Sequence, residues 1–195
     1  NMARAWAQVT HATLDMSGPY RKVFDTMLPD AIQVADPFHL VRLAGEKLDL
    51  VRRRVQQETL GHRGHKHDPL YRARKLLVMA QERLDERADT KLVGLLAAGD
   101  PQGEVTTAWH AKEAVRELYA HRDADLALEW VDQLSADMRD TSSPPEVRQL
   151  GRTMRRWRTQ IAAWHAGQVS NGPTETMNGL AKRIKRVAFG MTNFV

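Results

Sequence analysis

The sequence predicts an α/β chain that is predominantly helical, with few strands: one β–α–β unit near the N-terminal end and helix through most of the remaining length. Three observations lead there. Two short β-type runs, VTHATL at 9–14 and AIQVA at 31–35, flank a segment with helical spacing. Beyond Asp36 the apolar residues recur at steps of three and four instead of alternating. Turn signals rich in glycine, proline and serine, GDP at 99–101 and TSSPP at 141–145, then separate the periodic segments.

Taken in order, the first run is followed by Ser17, which can cap a helix, and by Pro19, which fits a first turn. Tyr20, Val23, Phe24, Met27 and Leu28 recur at helical spacing and are predicted to face a core. Pro29-Asp30 ends that helix, and AIQVA reads as a buried strand. Strand, helix and strand in this order favour a parallel pair, with ligands near the carboxyl ends of the strands. Asp36 lies at such an end.

From Asp36, an Asp-Pro pair suited to a helix cap and first turn, a long amphipathic helix is marked by Phe38, Leu40, Val41, Leu43, Ala44, Leu48, Val51 and Val55. GHRGHKHDP at 61–69 interrupts it. Further helices are predicted at about 71–86, 90–98, 105–121, 125–138 and 146–165. Gly172-Pro173 starts a last one, with Met177, Leu180, Ala181, Ile184, Val187 and Ala188 as its apolar stripe. Glu175, Asn178, Lys182 and Lys185 share the opposite face, so an acid and several bases project from one side of it.

The chain has 195 residues, 42% apolar and 27% charged, which suits one or two compact units. No apolar run approaches the roughly 20 residues needed to cross a bilayer, and the N-terminal segment lacks the apolar core of a secretion signal. A cytosolic protein with no membrane partner is expected. Without cysteine, any chemistry falls to carboxylates, histidines and hydroxyls.

The net charge of +5 is segregated. Residues 1–75 hold 13 basic and 8 acidic residues, 76–146 hold 7 and 15, and 147–195 hold 9 and 1. Basic ends favour a polyanion through counterion release, so double-stranded DNA is the first partner expected. The acidic middle would repel a duplex and leaves room for a protein partner or a second subunit in a homo-oligomer.

Individual residues have plain structural explanations too. Glu175 in a first turn is stabilised by the helix dipole, and Asp36 by capping. The histidines 62, 65 and 67 of HRGHKH read as a loop, since neither acid nor cysteine stands at a zinc-ligand spacing. Trp109, Trp130, Trp157 and Trp164 fall within apolar periodicity and read as core, with stacking on an unpaired base as the alternative for one of them. Arg52-Arg53-Arg54, Arg72, Arg74 and Lys75, and Arg152, Arg155, Arg156 and Arg158, could follow a phosphate backbone or simply be solvated faces.

Three strings decide between these readings: DMSGPYRKVFDTMLPDAIQVADPFHLVRL, WHAKEAVRELY and SNGPTETMNGLAKRIKRVAFGMTNF. In that order, over nearly the whole chain, the sequence resembles insertion-sequence DDE transposases of the ISL (ISL-three) group. The resemblance implies a partial RNase H-like core with a large all-helical insertion, and a catalytic set of two aspartates and one glutamate. Asp36 in ADPFHL matches the second aspartate and Glu175 in SNGPTE the glutamate; the 139 residues between them fit the insertion. The implied division is 1–58 for part of the core, 59–165 for the insertion and 166–195 for the core helix carrying Glu175.

Further expectations come with the resemblance. Asp36 and Glu175 would hold Mg²⁺ or Mn²⁺, and the ions would drive cleavage and strand transfer at transposon ends. Asn171 and Asn178 would position the glutamate or a phosphate. Asn178, Lys182, Arg183, Lys185 and Arg186 would contact DNA, and His39 would orient the Asp36 carboxylate or a bound water. The first aspartate of the family is expected upstream of this chain. Asp15, which matches the family's DMS-Y motif after a strand, is read as structural. A fragment inactive on its own is therefore expected, also lacking the elements that read transposon ends. Two alternatives stand: a non-catalytic DNA-binding remnant, and an all-helical interaction protein that uses the acidic block. A parallel strand pair placing Asp36 near Glu175 would argue against the last.

Overall fold

A computed structural model describes residues 9–170 and 172. Strand β1 (His11–Leu14) pairs in parallel with β2 (Ile32–Ala35), in the register His11 to Ile32 through Leu14 to Ala35. Helix α1 (Gly18–Met27) crosses between them, with Pro19 in its first turn as its sequence requires. The ladder runs one residue past β2, since the Asp36 amide donates to the Leu14 carbonyl at 3.0 Å. Asp36 is thereby fixed at the carboxyl end of the sheet.

The rest of the described chain is helical: α2 (Pro37–Leu60), α3 (Pro69–Val78), a 3₁₀ turn (Gln81–Arg83), α4 (Glu86–Gly99), α5 (Glu104–Leu118), α6 (Ala124–Met138), α7 (Pro145–Arg156) and α8 (Arg158–Gly167). Helix α2 is the spine. Leu40, Ala44, Leu48, Val51 and Val55 recur every three or four residues and are buried, so one stripe faces α5 and α7 along its length. It stops at Gly61, whose φ of 73° lets its N–H reach the Gln57 carbonyl. Helix α6 packs on α7 and α8, α3 packs on α4, and α8 returns to cover β2. Leu14 and Ala35 of the sheet join one continuous core with Leu40, Val105, Met154 and Ile161.

The structure corrects three sequence expectations. Of the five apolar residues expected to face a core from helix α1 and its end, Phe24 and Leu28 do so, whereas Tyr20, Val23 and Met27 are more than half exposed. A two-stranded sheet is too narrow to cover the face of a helix. The helix expected at 71–86 is divided, because the buried Lys112 ammonium takes the carbonyls of Leu77 and Met79, each at 2.7 Å, and Met79 turns extended. The helix expected at 146–165 is divided at Trp157. There the amide is shared between the Thr153 and Met154 carbonyls and ψ opens to 11°, which swings α8 toward the sheet while the indole enters the core.

Candidate functional site

The site grows from the end of β2. Asp36 caps α2, with Oδ1 accepting the Phe38 amide at 2.8 Å, and Pro37 supplies the first turn with no amide to satisfy. The cap explains the backbone geometry, and the strand ladder explains the depth: Asp36 is only 3% exposed. Its cleft, about 380 Å³, is lined by Pro37, Phe38, Trp164, Gln168, Ser170 and Gly172. Residues more than 120 positions away are thus brought beside Asp36 by α8. Gly167 makes this possible, since a Cβ there would come within 2.9 Å of the His11 ring, and Gln168 then takes a left-handed φ of 49° that turns the chain into the cleft.

Behind the cleft stands an aromatic cluster that the sequence did not reveal. The Tyr119 ring meets Trp164 edge-on at 5.1 Å and stacks on His165 at 5.9 Å. Its buried hydroxyl has no hydrogen-bond partner among the described residues. Burial, and after it the negative charge of Asp36, push the phenol well above its ordinary range, so it stays protonated. His165 pairs through Nδ1 with the His121 carbonyl at 3.0 Å, and burial pushes its pKa down, which keeps the imidazole neutral at pH 7. The signals for this cluster were that Tyr119 closes the WHAKEAVRELY string and that Trp164 falls within apolar periodicity.

At the neighbouring edge the His39 ring lies 3.2 Å from Asp15, so these two residues hold each other where β1 ends and α2 begins. Glu175, Asn171, Asn178, Lys182, Arg183, Lys185 and Arg186 lie outside the described residues. Among the described residues no three or more histidine, cysteine or acidic side chains gather as metal ligands. Asp36 can nonetheless serve as one ligand, since a carboxylate offers about four acceptor positions.

Other expectations resolve locally. In the HRGHKH loop the His62 and His65 rings meet edge-on at 4.2 Å, and Asp68 accepts the His65 amide. Trp109 and Trp157 are buried, whereas Trp164 lines the Asp36 cleft. Arg155 and Arg158 both grip Asp132, so this part of the α7–α8 basic face clamps α6.

A family model described as transposase, of the ISL3 type of DDE enzymes, matches residues 2–195. The chain belongs to this transposase family. The transposase for insertion sequence element IS1557 of Mycobacterium tuberculosis, from strains CDC 1551 and H37Rv, is 29% identical over 210 residues. That match covers 94% of this chain and 45% of the relative, so the chain spans about half the length of the curated relatives it matches. No solved structure gives a significant match. Among the described residues no helix is long and apolar enough to cross a membrane.

Proposed function

We propose that Asp36 and Glu175 form two thirds of the carboxylate set of a DDE transposase, on a partial RNase H-like core, and act on transposon-end DNA. The observation that carries this reading is the shared cleft. Ser170 and Gly172, from the segment that begins SNGPTE, line the same cleft as Asp36 at the carboxyl end of a parallel strand. Glu175 follows Gly172 by three positions, and chain connectivity keeps its Cα within about 10 Å of Gly172. In an α/β sheet this end of the strands is where ligands bind.

Asp36 and Glu175 would hold Mg²⁺ or Mn²⁺, which when bound supplies activation of the attacking oxygen and stabilisation of the leaving one at phosphorus. The chain's own part is to hold a carboxylate in place. Asp36 is fixed through its amide on Leu14 and its Oδ1 on Phe38, so little side-chain freedom is left to lose when a cation arrives. Trp164 and Phe38 line the cleft. Asn171 and Asn178 would position Glu175 or a phosphate, Lys182, Arg183, Lys185 and Arg186 would track the backbone, and residues 59–165 would form the helical insertion between the two acids. With two carboxylates rather than three, the 195-residue chain is expected to bind an ion weakly and to leave DNA uncut.

The test is a Mn²⁺ titration of this chain followed by electron paramagnetic resonance, beside a DNA-cleavage assay. The reading expects one weak site, lost in Asp36→Asn and in Glu175→Gln, and no cleavage. Binding that survives both substitutions removes the proposed site. Metal-dependent cleavage by this chain, abolished by Glu175→Gln, removes the expectation of inactivity.

A further inference from the structure

We propose that the groove between α2 and α3 is a second binding site, for the phosphodiester backbone of duplex DNA, on the helical part of the chain and apart from the Asp36 cleft. It rests on the reading of the chain as a protein that acts on DNA, and adds where a duplex lies beyond the reacting end.

The groove, about 890 Å³, is lined by Arg52, Arg53, Arg63, Tyr71 and Arg74, together with Arg54 and its partner Glu146. The stretch that forms it, residues 52–75, holds eight Lys or Arg against two Asp or Glu. Both acids have other work. Glu58 pairs with Arg54, and Asp68 accepts from the His65 amide and the Gln56 side chain. Arg54 is also taken up by Glu104 and Glu146, so it is a strut and not a free cation.

Arg52, Arg53 and Arg74 are held in place without being fully neutralised, and Arg63 is exposed. One carboxylate, Asp49, bridges both Arg52 and Arg53 at 2.6 Å, which leaves a positive charge over between them. Arg52 is 6% exposed, and its Nη1 has no hydrogen-bond partner among the described residues. A buried guanidinium donor without an acceptor is the kind of group that an entering anionic oxygen would satisfy. Arg74 lies over the Tyr71 ring at 3.7 Å and donates to the Tyr71 carbonyl, so its fork is held without any carboxylate. Fixed forks of this kind match phosphate oxygens, with less side-chain entropy to lose.

The shape favours a linear polyanion over a single ion. Arg52, Arg53 and Arg74 also line a second groove of about 1270 Å³ that follows α2 back to Phe38. Phe38 also lines the Asp36 cleft, so the second groove and the cleft meet at one residue at the start of α2. Along the helix, Arg52 lies 16 positions after Asp36, a distance of about 24 Å at 1.5 Å per residue. At about 3.4 Å per step along a strand, a backbone seated among the arginines would reach the Asp36 cleft roughly 7 base pairs away.

The test measures binding of the 195-residue chain to a labelled duplex by fluorescence anisotropy, between about 50 and 200 mM salt. Arg53→Gln, Arg63→Gln and Arg74→Gln are combined, with exposed Arg63→Gln alone as the variant least able to disturb the fold. The combined variant should bind at least about tenfold more weakly, and its slope of log K against log salt should fall by about 2–3, near 0.9 per lost phosphate contact. Arg63→Gln should lower the slope by about 1, and Arg152→Gln with Arg156→Gln on α7 should not change it. If the unaltered chain binds no duplex, the DNA reading itself falls and this proposal with it. If the chain binds and the combined variant matches it in affinity and slope, while Lys182→Gln, Arg183→Gln, Lys185→Gln and Arg186→Gln together abolish binding, the groove assignment alone is overturned. Poly-glutamate displacing the duplex as well as an unlabelled duplex does would overturn the phosphodiester assignment.

Discussion

Replacing Arg54 by methionine should destabilise the fold by about 2–3 kcal/mol at neutral pH and by much less in acid. Arg54 ties three helices: its Nε donates to Glu146 of α7 at 2.8 Å, and its Nη atoms to Glu104 of α5 and Glu58 of α2. Charge-assisted bonds of this kind contribute about 1.5–3 kcal/mol each when dry. Arg54 keeps 28% side-chain exposure, so solvent screening lowers that sum, while methionine retains the packing of the aliphatic stem. Burial pushes the Glu146 carboxyl up, but the hydrogen bond and charge of Arg54, a backbone hydrogen bond and the charge of Lys47 together outweigh it and leave the group below its ordinary range. A depressed carboxyl stabilises the fold above the unfolded value near 4.3, and that contribution is lost as pH falls through the folded value. Without Arg54 only a backbone hydrogen bond and the charge of Lys47 oppose burial, so Glu146 becomes a liability when ionised and is relieved on protonation. Urea unfolding followed by circular dichroism at pH 7 and at about pH 4 measures both halves. At neutral pH the midpoint of thermal unfolding should drop by about 5–10 °C. A loss under about 0.5 kcal/mol at pH 7, or a gap that widens in acid, would refute the reasoning.

Three other substitutions probe separate joints. Gly151→Ala would bring a Cβ within 2.9 Å of both the Met138 side chain and the Ser135 carbonyl, where α7 meets α6, and should cost about 1–3 kcal/mol in urea unfolding. Lys112→Met keeps the volume but strips the Leu77 and Met79 carbonyls of their donor; a loss of about 1–3 kcal/mol is expected, and no loss would mean that water replaces the ammonium. Asp36→Asn should leave stability within about 0.5 kcal/mol, because asparagine caps a helix as well as aspartate does, while abolishing Mn²⁺ binding. A large loss of stability there would make Asp36 a structural residue first.

Much of this architecture could be read from local rules. The β–α–β start was legible because AIQVA is a short apolar run closed by Asp-Pro, and the parallel pairing followed from the helix between the strands. The stripe of α2 was legible because Leu40, Ala44, Leu48, Val51 and Val55 repeat over 24 residues. The failures were tertiary. Tyr20, Val23 and Met27 have helical spacing but nothing to face among the described residues. Trp157 continues a helical pattern that its own backbone interrupts. The position of Asp36 was legible from its place after a strand, whereas Tyr119 reaches it from another helix, and no local pattern reports such an approach. Charge patterning marked Arg52 and Arg54 alike. Only the packing shows that Arg54 is consumed by Glu104 and Glu146 while Arg52 keeps a donor to spare.

The approach of two distant acids to one ion can be measured by loading the chain with Fe²⁺ in place of Mg²⁺ and mapping where ascorbate-driven hydroxyl radicals cut the backbone. If the account holds, the cuts cluster at both Asp36 and Glu175 and vanish from both places in Asp36→Asn. Cuts at one acid alone, or a pattern that Asp36→Asn leaves unchanged, would contradict it.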